Sequence, residues 1–349
     1  MTDPVAVAVD ANGADHGPAE VARGAAAAAS EHGVRVLLFG PAAQMGEMPD
    51  GVEVIDAPVS IAKAEDPARA VRANPDASIV AAVSAVADGR ADALVSGGST
   101  GTALAASLFR IKRGRGIHRP ALAVLVPVPG APFLLLDAGA NVEVRPEHLV
   151  QFAHMGAAFM ETAMGVSRPR VALLSNGEEA SKGPEDLVAA HNVLSGAESR
   201  LNFIGNVEGF AIGTGEADVI VTDGFTGNVA LKVMEGTSAV LLGAVRDAAT
   251  SSRRSTLGGL LLRPALRELR DQLDPQAVGG AVLLGLRKLV VVPHGSFEAG
   301  GITNAIGLAA RGVREDVVGR TLETLAAAGA LRRAPAEVSA VAASVPDQP

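Results

Sequence analysis

The sequence predicts an α/β fold: a mostly parallel sheet between two helical layers, a Rossmann-like three-layer sandwich. Three observations point there. Short β-branched runs alternate with alanine-rich stretches of helical length. The apolar runs are continuous rather than alternating, as in strands covered on both faces. Glycine-bearing polar loops follow several of these runs, where the ligand loops of α/β sheets lie.

Taken in order, residues 5–10 read as a strand and 18–31 as a helix opened by Pro18, whose missing N–H is harmless in the first turn. Residues 34–39 and 91–95 are strands, the latter followed by a helix over 102–110. Residues 121–136 are the longest uncharged apolar stretch, but Pro127, Pro129, Gly130 and Pro132 interrupt it. An antiparallel pair joined by a turn explains it better than a membrane span. Residues 171–174 and 218–222 are strands, the second feeding a long helix from Gly227, and 289–292 closes the series. Strands alternating with helices imply the parallel sheet. With no repeat and no linker, residues 1–333 are expected to form one large α/β domain with a protruding helical segment at about 251–275. Residues 334–349, small, polar and proline-containing, are expected to be a flexible tail.

Composition narrows the function. The 349 residues are 48% hydrophobic and 19% charged, enough apolar material for a large core. Cysteine is absent, which excludes disulfides, thiolate metal sites and thiol nucleophiles. A net charge of −8, with no tryptophan or tyrosine and nine phenylalanines, argues against nucleic acid. The first ten residues lack the basic and apolar regions of a secretion signal, so the expected location is cytoplasmic, peripheral to the inner membrane face at most. The seven histidines suggest no metal set.

Five loops are suited to anions or proton transfer. The first, 10–18, holds Asp10, Asp15 and His16 in a strand-to-helix turn. The second, Ser96-Gly97-Gly98-Ser99-Thr100-Gly101, lets backbone N–H groups approach an anion at a helix start. The third, 176–183, carries Glu178 and Lys182 between glycines. The fourth, 223–232, holds Asp223, Gly227, Asn228 and Lys232, the last two spaced i,i+4 on one helical side. The fifth contains His294. Each also has a bland reading: a helix cap, a plain turn or a solvated lysine. A parallel sheet would place all five on one edge. No complete dinucleotide or P-loop motif accompanies them.

Longer matches make the chain resemble the phosphate acyltransferase (PlsX) family of bacterial phospholipid synthesis over nearly its whole length. They are Asp10…Gly13-Ala14-Asp15-His16-Gly17-Pro18, the Gly97–Gly101 loop, 136–142 with Asn141, 145–149, Gly177-Glu178-Glu179…Lys182-Gly183, 202–209 with Asn206, and 223–232. The sequence departs from the family pattern at Ala14, Ser99 and Val282. The resemblance implies a fold similar to phosphate acetyltransferases and isocitrate-type dehydrogenases, and a homodimer. It implies transfer of a fatty acyl group from acyl carrier protein to inorganic phosphate, the product feeding a membrane glycerol-3-phosphate acyltransferase. The residues it marks are Lys182 for phosphate charge, Asn228 for the thioester oxygen, and His16 and His294 for the leaving thiol. Asp10, Asp15, Gly97 to Gly101, Asn141, Glu178, Asn206, Asp223, Gly227 and Lys232 are marked for substrate binding. Neither cofactor nor metal is expected.

Other readings stay open. One is a coenzyme-A phosphotransacylase or an isocitrate-type dehydrogenase on the same scaffold. Another is a non-catalytic, membrane-recruited scaffold built on 251–275, where five arginines face three acids among leucines. Lys112, in the basic stretch 110–115, has no catalytic motif around it.

Overall fold

In the computed structural model, which describes residues 4–332, eleven strands form one sheet. They are β1 (Ala6–Asp10), β2 (Arg35–Gly40), β3 (Val52–Asp56), β4 (Ala93–Ser96), β5 (Ala121–Val126), β6 (Phe133–Leu136), β7 (Arg170–Leu174), β8 (Asn202–Val207), β9 (Val219–Val221), β10 (Ala281–Leu284) and β11 (Leu289–Val292). The helices are α1 (Pro18–His32), α2 (Pro67–Ala73), α3 (Ser78–Ala87), α4 (Thr100–Arg110), α5 (Pro146–Ala163), α6 (Glu185–Leu194), α7 (Gly224–Thr250), α8 (Arg253–Gln272), α9 (Pro275–Val278), α10 (Ala299–Arg314) and α11 (Val317–Ala327).

Strand order is β3-β2-β1-β4-β11-β10-β5-β6-β9-β7-β8. The first five of these run parallel, and so do the last four. Between them β10 and β5 pair antiparallel to each other and to their outer neighbours. That odd number of reversals turns the two parallel blocks head to tail. Carboxyl-end loops of β1, β4 and β11 therefore leave by one edge, and those of β6, β7 and β9 by the other. The single-edge expectation is corrected accordingly: the hairpin read at 121–136 is β5–β6, and together with β10 it inverts the second block.

The inner strands are mostly buried, because helices cover both faces, while the outer strands β3 and β8 are largely half-buried or exposed. One face packs α1, α5, α6, α10 and α11 against residues such as Val9, Leu38 and Leu134. The other packs α2, α3, α4 and the start of α7 against Leu37, Leu94, Leu135 and Leu283. Beyond that start α7 leaves the core. It is 27 residues long and, by length and composition, apolar enough to cross a membrane. With α8, which buries no residue, it forms an outlying hairpin. The tail expected at 334–349 lies outside the described residues.

Candidate active site

Because the sheet reverses at its middle, the two blocks meet over the face of β5 and β10 rather than along an edge. A cavity of about 430 Å³ lies there. Its floor is Leu122 and Val124, alternate residues of β5, beside Ala281, which pairs with Val124. From one edge come Asp15, the 97–100 turn and His294; from the other come Gly139, Asn228 and Lys232.

The first group is held by a buried carboxylate. Asp10 accepts from Ser78 Oγ at 2.6 Å and Ser96 Oγ at 2.8 Å. Ser96 Oγ in turn accepts from the Gly98 N–H at 3.2 Å, so Asp10 shapes the glycine turn from below. Burial pushes the Asp10 carboxyl above the ordinary carboxylate value, against the opposing pull of the Ser78 and Ser96 hydroxyls. The turn touches the first loop so closely that a Cβ on Gly13 would stand 2.0 Å from Gly98 Cα. Ser99 caps α4 by accepting from the Thr102 N–H at 3.3 Å. The start of α4 thus carries its dipole and small residues to the cavity wall. On β11's loop, the Ser296 N–H donates to His294 Nδ1 at 3.3 Å, and the Ser296 hydroxyl lies 2.7 Å from the same nitrogen. With Nδ1 accepting, the neutral ring carries its proton on Nε2.

A second buried carboxylate organises the other group. Asp137 accepts from the N–H of Leu122, Gly139, Ala140 and Asn141 and from the Asn141 amide, at 2.7–3.0 Å. Burial raises its carboxyl too. The turn it folds receives α7: the Gly224 N–H donates to Asn141 O at 2.7 Å, and Gly227 backs onto Asp137 O. Asp223 caps α7 through the Thr226 N–H at 2.8 Å and the Thr226 hydroxyl at 2.7 Å. Asn228 therefore lies in the second turn of α7, not at its start, with Nδ2 3.2 Å from where a Cβ on Gly139 would be. Lys232, one turn on, lines the cavity and pairs with Glu235 at 2.7 Å.

Of the residues marked in sequence, the structure brings Asp15, Gly97, Gly98, Ser99, Thr100, Asn228, Lys232 and His294 to one cavity. Asp10, Asn141, Asp223 and Gly227 support it from behind rather than lining it, since their polar groups or backbone are engaged within the protein. Gly101 packs on Pro67. His16 is exposed, its Nε2 3.2 Å from Ser296 O. Lys182 and Glu178 are exposed on the loop after β7, outside the lining set. That loop shares an edge with the one leading to Asn228, β7 and β9 being neighbours. Asn206 is structural there, donating to Glu179 O at 2.9 Å while its Oδ1 lies 2.9 Å from His191 Nδ1. Sequence reasoning missed Lys63, which lines the cavity from a loop without glycines or a recognisable motif, and Asp137, whose carboxyl looks like any turn aspartate. It also missed the grouping of His118, Glu147 and His148, close enough to share an ion. None of the three lines the cavity. The Arg145 N–H occupies His148 Nδ1 at 3.1 Å, and burial, against the opposing pull of Glu147, holds both imidazoles below their ordinary value.

A sheet of two parallel blocks joined by a central antiparallel seam, with a cavity across that seam, makes the chain a mostly parallel α/β protein. Solved structures agree on the fold. A phosphotransacetylase from Streptococcus pyogenes superposes with a TM-score of 0.61 at 19% identity, covering 90% of this chain and 95% of that one. The EutD phosphotransacetylase from Staphylococcus aureus gives 0.59 at 19% identity, covering 89% and 94%. Residues 5–320 match the family described as fatty acid synthesis protein, and the chain belongs to that family. Relatives named phosphate acyltransferase include one from Heliobacterium modesticaldum, 45% identical over 89% of this chain and 95% of its own length. Another, from Moorella thermoacetica, is 46% identical over 89% of this chain and 93% of its own length.

Proposed function

We propose that the chain is an acyltransferase that moves a fatty acyl group from the thioester of an acyl carrier protein to inorganic phosphate, yielding acyl phosphate for phospholipid synthesis. The observation that carries this is the cavity itself. Leu122, Val124 and Leu231 give it apolar walls suited to an acyl chain, and its ends hold amide, ammonium and glycine-turn donors suited to phosphate. The relatives' name and the family support the same chemistry.

In the reaction a phosphate oxygen attacks the thioester carbonyl. The tetrahedral intermediate then expels the thiolate, which takes up one proton. Phosphate is already a competent nucleophile, so positioning and charge compensation carry the rate. The 97–100 turn and Lys63 receive the phosphate. Lys182 is its second compensating charge, delivered from the loop beside that of Asn228. Asn228 Nδ2 donates to the developing oxyanion, and the proton that hydrogen phosphate gives up on forming acyl phosphate passes to the thiolate, with His294 Nε2–H placed to hydrogen-bond the departing sulfur. His16, tied to the same loop at Ser296, is the weaker candidate for that step. No step calls for a metal or cofactor.

The α8 segment and the outlying end of α7 belong to contact rather than chemistry. Leu257, Leu261 and Leu262 are 65%, 79% and 58% exposed beside Arg263 and Arg267. We assign the open face of α7 to a homodimer and the basic apolar face of α8 to peripheral membrane contact next to a glycerol-3-phosphate acyltransferase. Replacing Arg263, Arg267 and Arg270 by Glu is expected to lower sedimentation with anionic liposomes; unchanged sedimentation would refute the membrane contact.

The function is tested by incubating the protein with acyl carrier protein substrate with and without phosphate. Free carrier thiol and acyl phosphate should appear in equal amounts, and only with phosphate. Thiol release that ignores phosphate would mean hydrolysis and would refute the assignment.

A further inference from the structure

A groove of about 960 Å³, larger than the active-site cavity, opens at the edge where β10 ends and β5 begins. Four segments build it: the end of α4, the 111–117 loop, the turn between β10 and β11, and the end of α11 with the residues after it. Hydrogen bonds stitch them together. The Gly114 N–H donates to Gly285 O at 2.9 Å, the Arg287 N–H to Lys112 O at 3.1 Å, and the Arg332 N–H to Gly116 O at 2.8 Å. Gln151, buried in α5, clamps the frame from behind. Its amide donates to Gly116 O at 2.9 Å and Ala330 O at 2.8 Å, and its carbonyl accepts from the His118 N–H at 2.8 Å.

The frame presents charge in excess. Lys112, Arg113, Arg115, Arg287 and Arg332 line the groove against one acid, Glu323, on a chain of net charge −8. All five cations are exposed, and none forms an ion pair among the described residues. Between them lie Phe109, Leu322 and Leu331, so the surface offers apolar anchors inside a basic rim. The groove also lies close to the chemistry. Ile117 lines the groove and Leu122 floors the cavity. The five residue steps between them span at most about 18 Å even when fully extended.

We infer that this groove docks the acidic face of the acyl carrier protein, so that the carrier's flexible thioester arm enters the cavity past the start of β5. The inference rests on the acyl-transfer function proposed above, and it leaves the arginines of the 251–275 segment to membrane contact. A basic rim around an apolar groove suits an acidic protein surface better than a free phosphate, which gains nothing from the apolar residues.

The test compares two donors, acyl carrier protein and a carrier-free acyl thioester such as acyl-pantetheine, using wild type and the triple variant Lys112→Glu, Arg115→Glu, Arg332→Glu. The variant should raise KM for acyl carrier protein at least about tenfold at low salt, the lower end of what electrostatic steering supplies. Its turnover of the free thioester should match wild type, which also shows that it is folded. The milder Lys112→Gln, Arg115→Gln, Arg332→Gln variant should fall between the two. Equal KM for acyl carrier protein in all three proteins overturns the docking site alone. Parallel loss on both donors makes the groove part of substrate binding and overturns it as well. If wild type turns over neither donor, acyl transfer itself is refuted, and docking with it.

Discussion

Gly227→Ala tests whether the first turns of α7 must rest on the Asp137 carbonyl. A Cβ at this position would stand 1.9 Å from Asp137 O, whereas real Cβ atoms essentially never come under 3.0 Å. The obstacle is backbone, so no rotamer relieves it, and α7 must retreat by about 1 Å. Overpacking of this kind costs about 1–3 kcal/mol. The glycine-to-alanine change in a helix returns about 1 kcal/mol. The net is a destabilisation of up to about 2 kcal/mol. Catalysis suffers more, since Asn228 is the next residue and a 1 Å misplacement can cost about 10²-fold in rate. Gly236→Ala, in the same helix with nothing within 4 Å of the added carbon, is the control and should be neutral or stabilising with full turnover. The assays are urea unfolding and kcat for phosphate-dependent thiol release. Wild-type stability and kcat in Gly227→Ala would refute the packing argument.

Three further outcomes are expected. His154 is buried in α5 with Nδ1 unpartnered, and burial lowers its pKa from 6.5 to about 4. The unfolded chain therefore binds the proton first, and stability from the neutral ring, complete above pH 6.5, is lost by about 3 kcal/mol as pH falls to 4. In His154→Leu the loss between pH 7 and pH 4.5, measured by urea unfolding, should shrink; an unchanged slope refutes this origin. Lys63→Ala and Lys182→Ala should each raise KM for phosphate or lower kcat by at least about tenfold with unchanged thermal midpoints, because both ammonium groups can leave without disturbing the core. Near-full activity in Lys182→Ala would confine the phosphate site to the cavity lining. Asp10→Ala leaves the Ser78 and Ser96 hydroxyls without their buried acceptor, which should cost about 1–3 kcal/mol and weaken phosphate affinity through the 97–100 turn. A rise in stability would refute that support.

Much of this architecture was legible because its signals are local. Continuous apolar runs marked β1, β2, β4, β7, β9 and β11 to within about two residues, a normal boundary error. The glycine loops after them supplied most of the cavity's polar groups. What stayed hidden depends on pairing across distance. The short β10 follows two glycines and looks like any apolar segment, yet with β5 it reverses the second block and moves the site from a sheet edge to a seam. Asp10 and Asp223 carry the residue type of a ligand group, and only their hydrogen bonds reveal them as a brace and a cap. Lys63 had no motif to announce it. The basic groove joins residues near 112, 287 and 332, which no window of sequence brings together.

The central claim, that Asn228 serves a transfer of acyl groups to phosphate in the cavity across the seam, is tested most directly by single-turnover formation of acyl phosphate, trapped with hydroxylamine. The comparison is wild type against Asn228→Ala at saturating acyl carrier protein substrate and phosphate. Loss of one oxyanion donor should lower the rate of acyl phosphate formation by about 10²–10³-fold with KM for phosphate little changed. A variant that forms acyl phosphate at the wild-type rate would contradict the assignment.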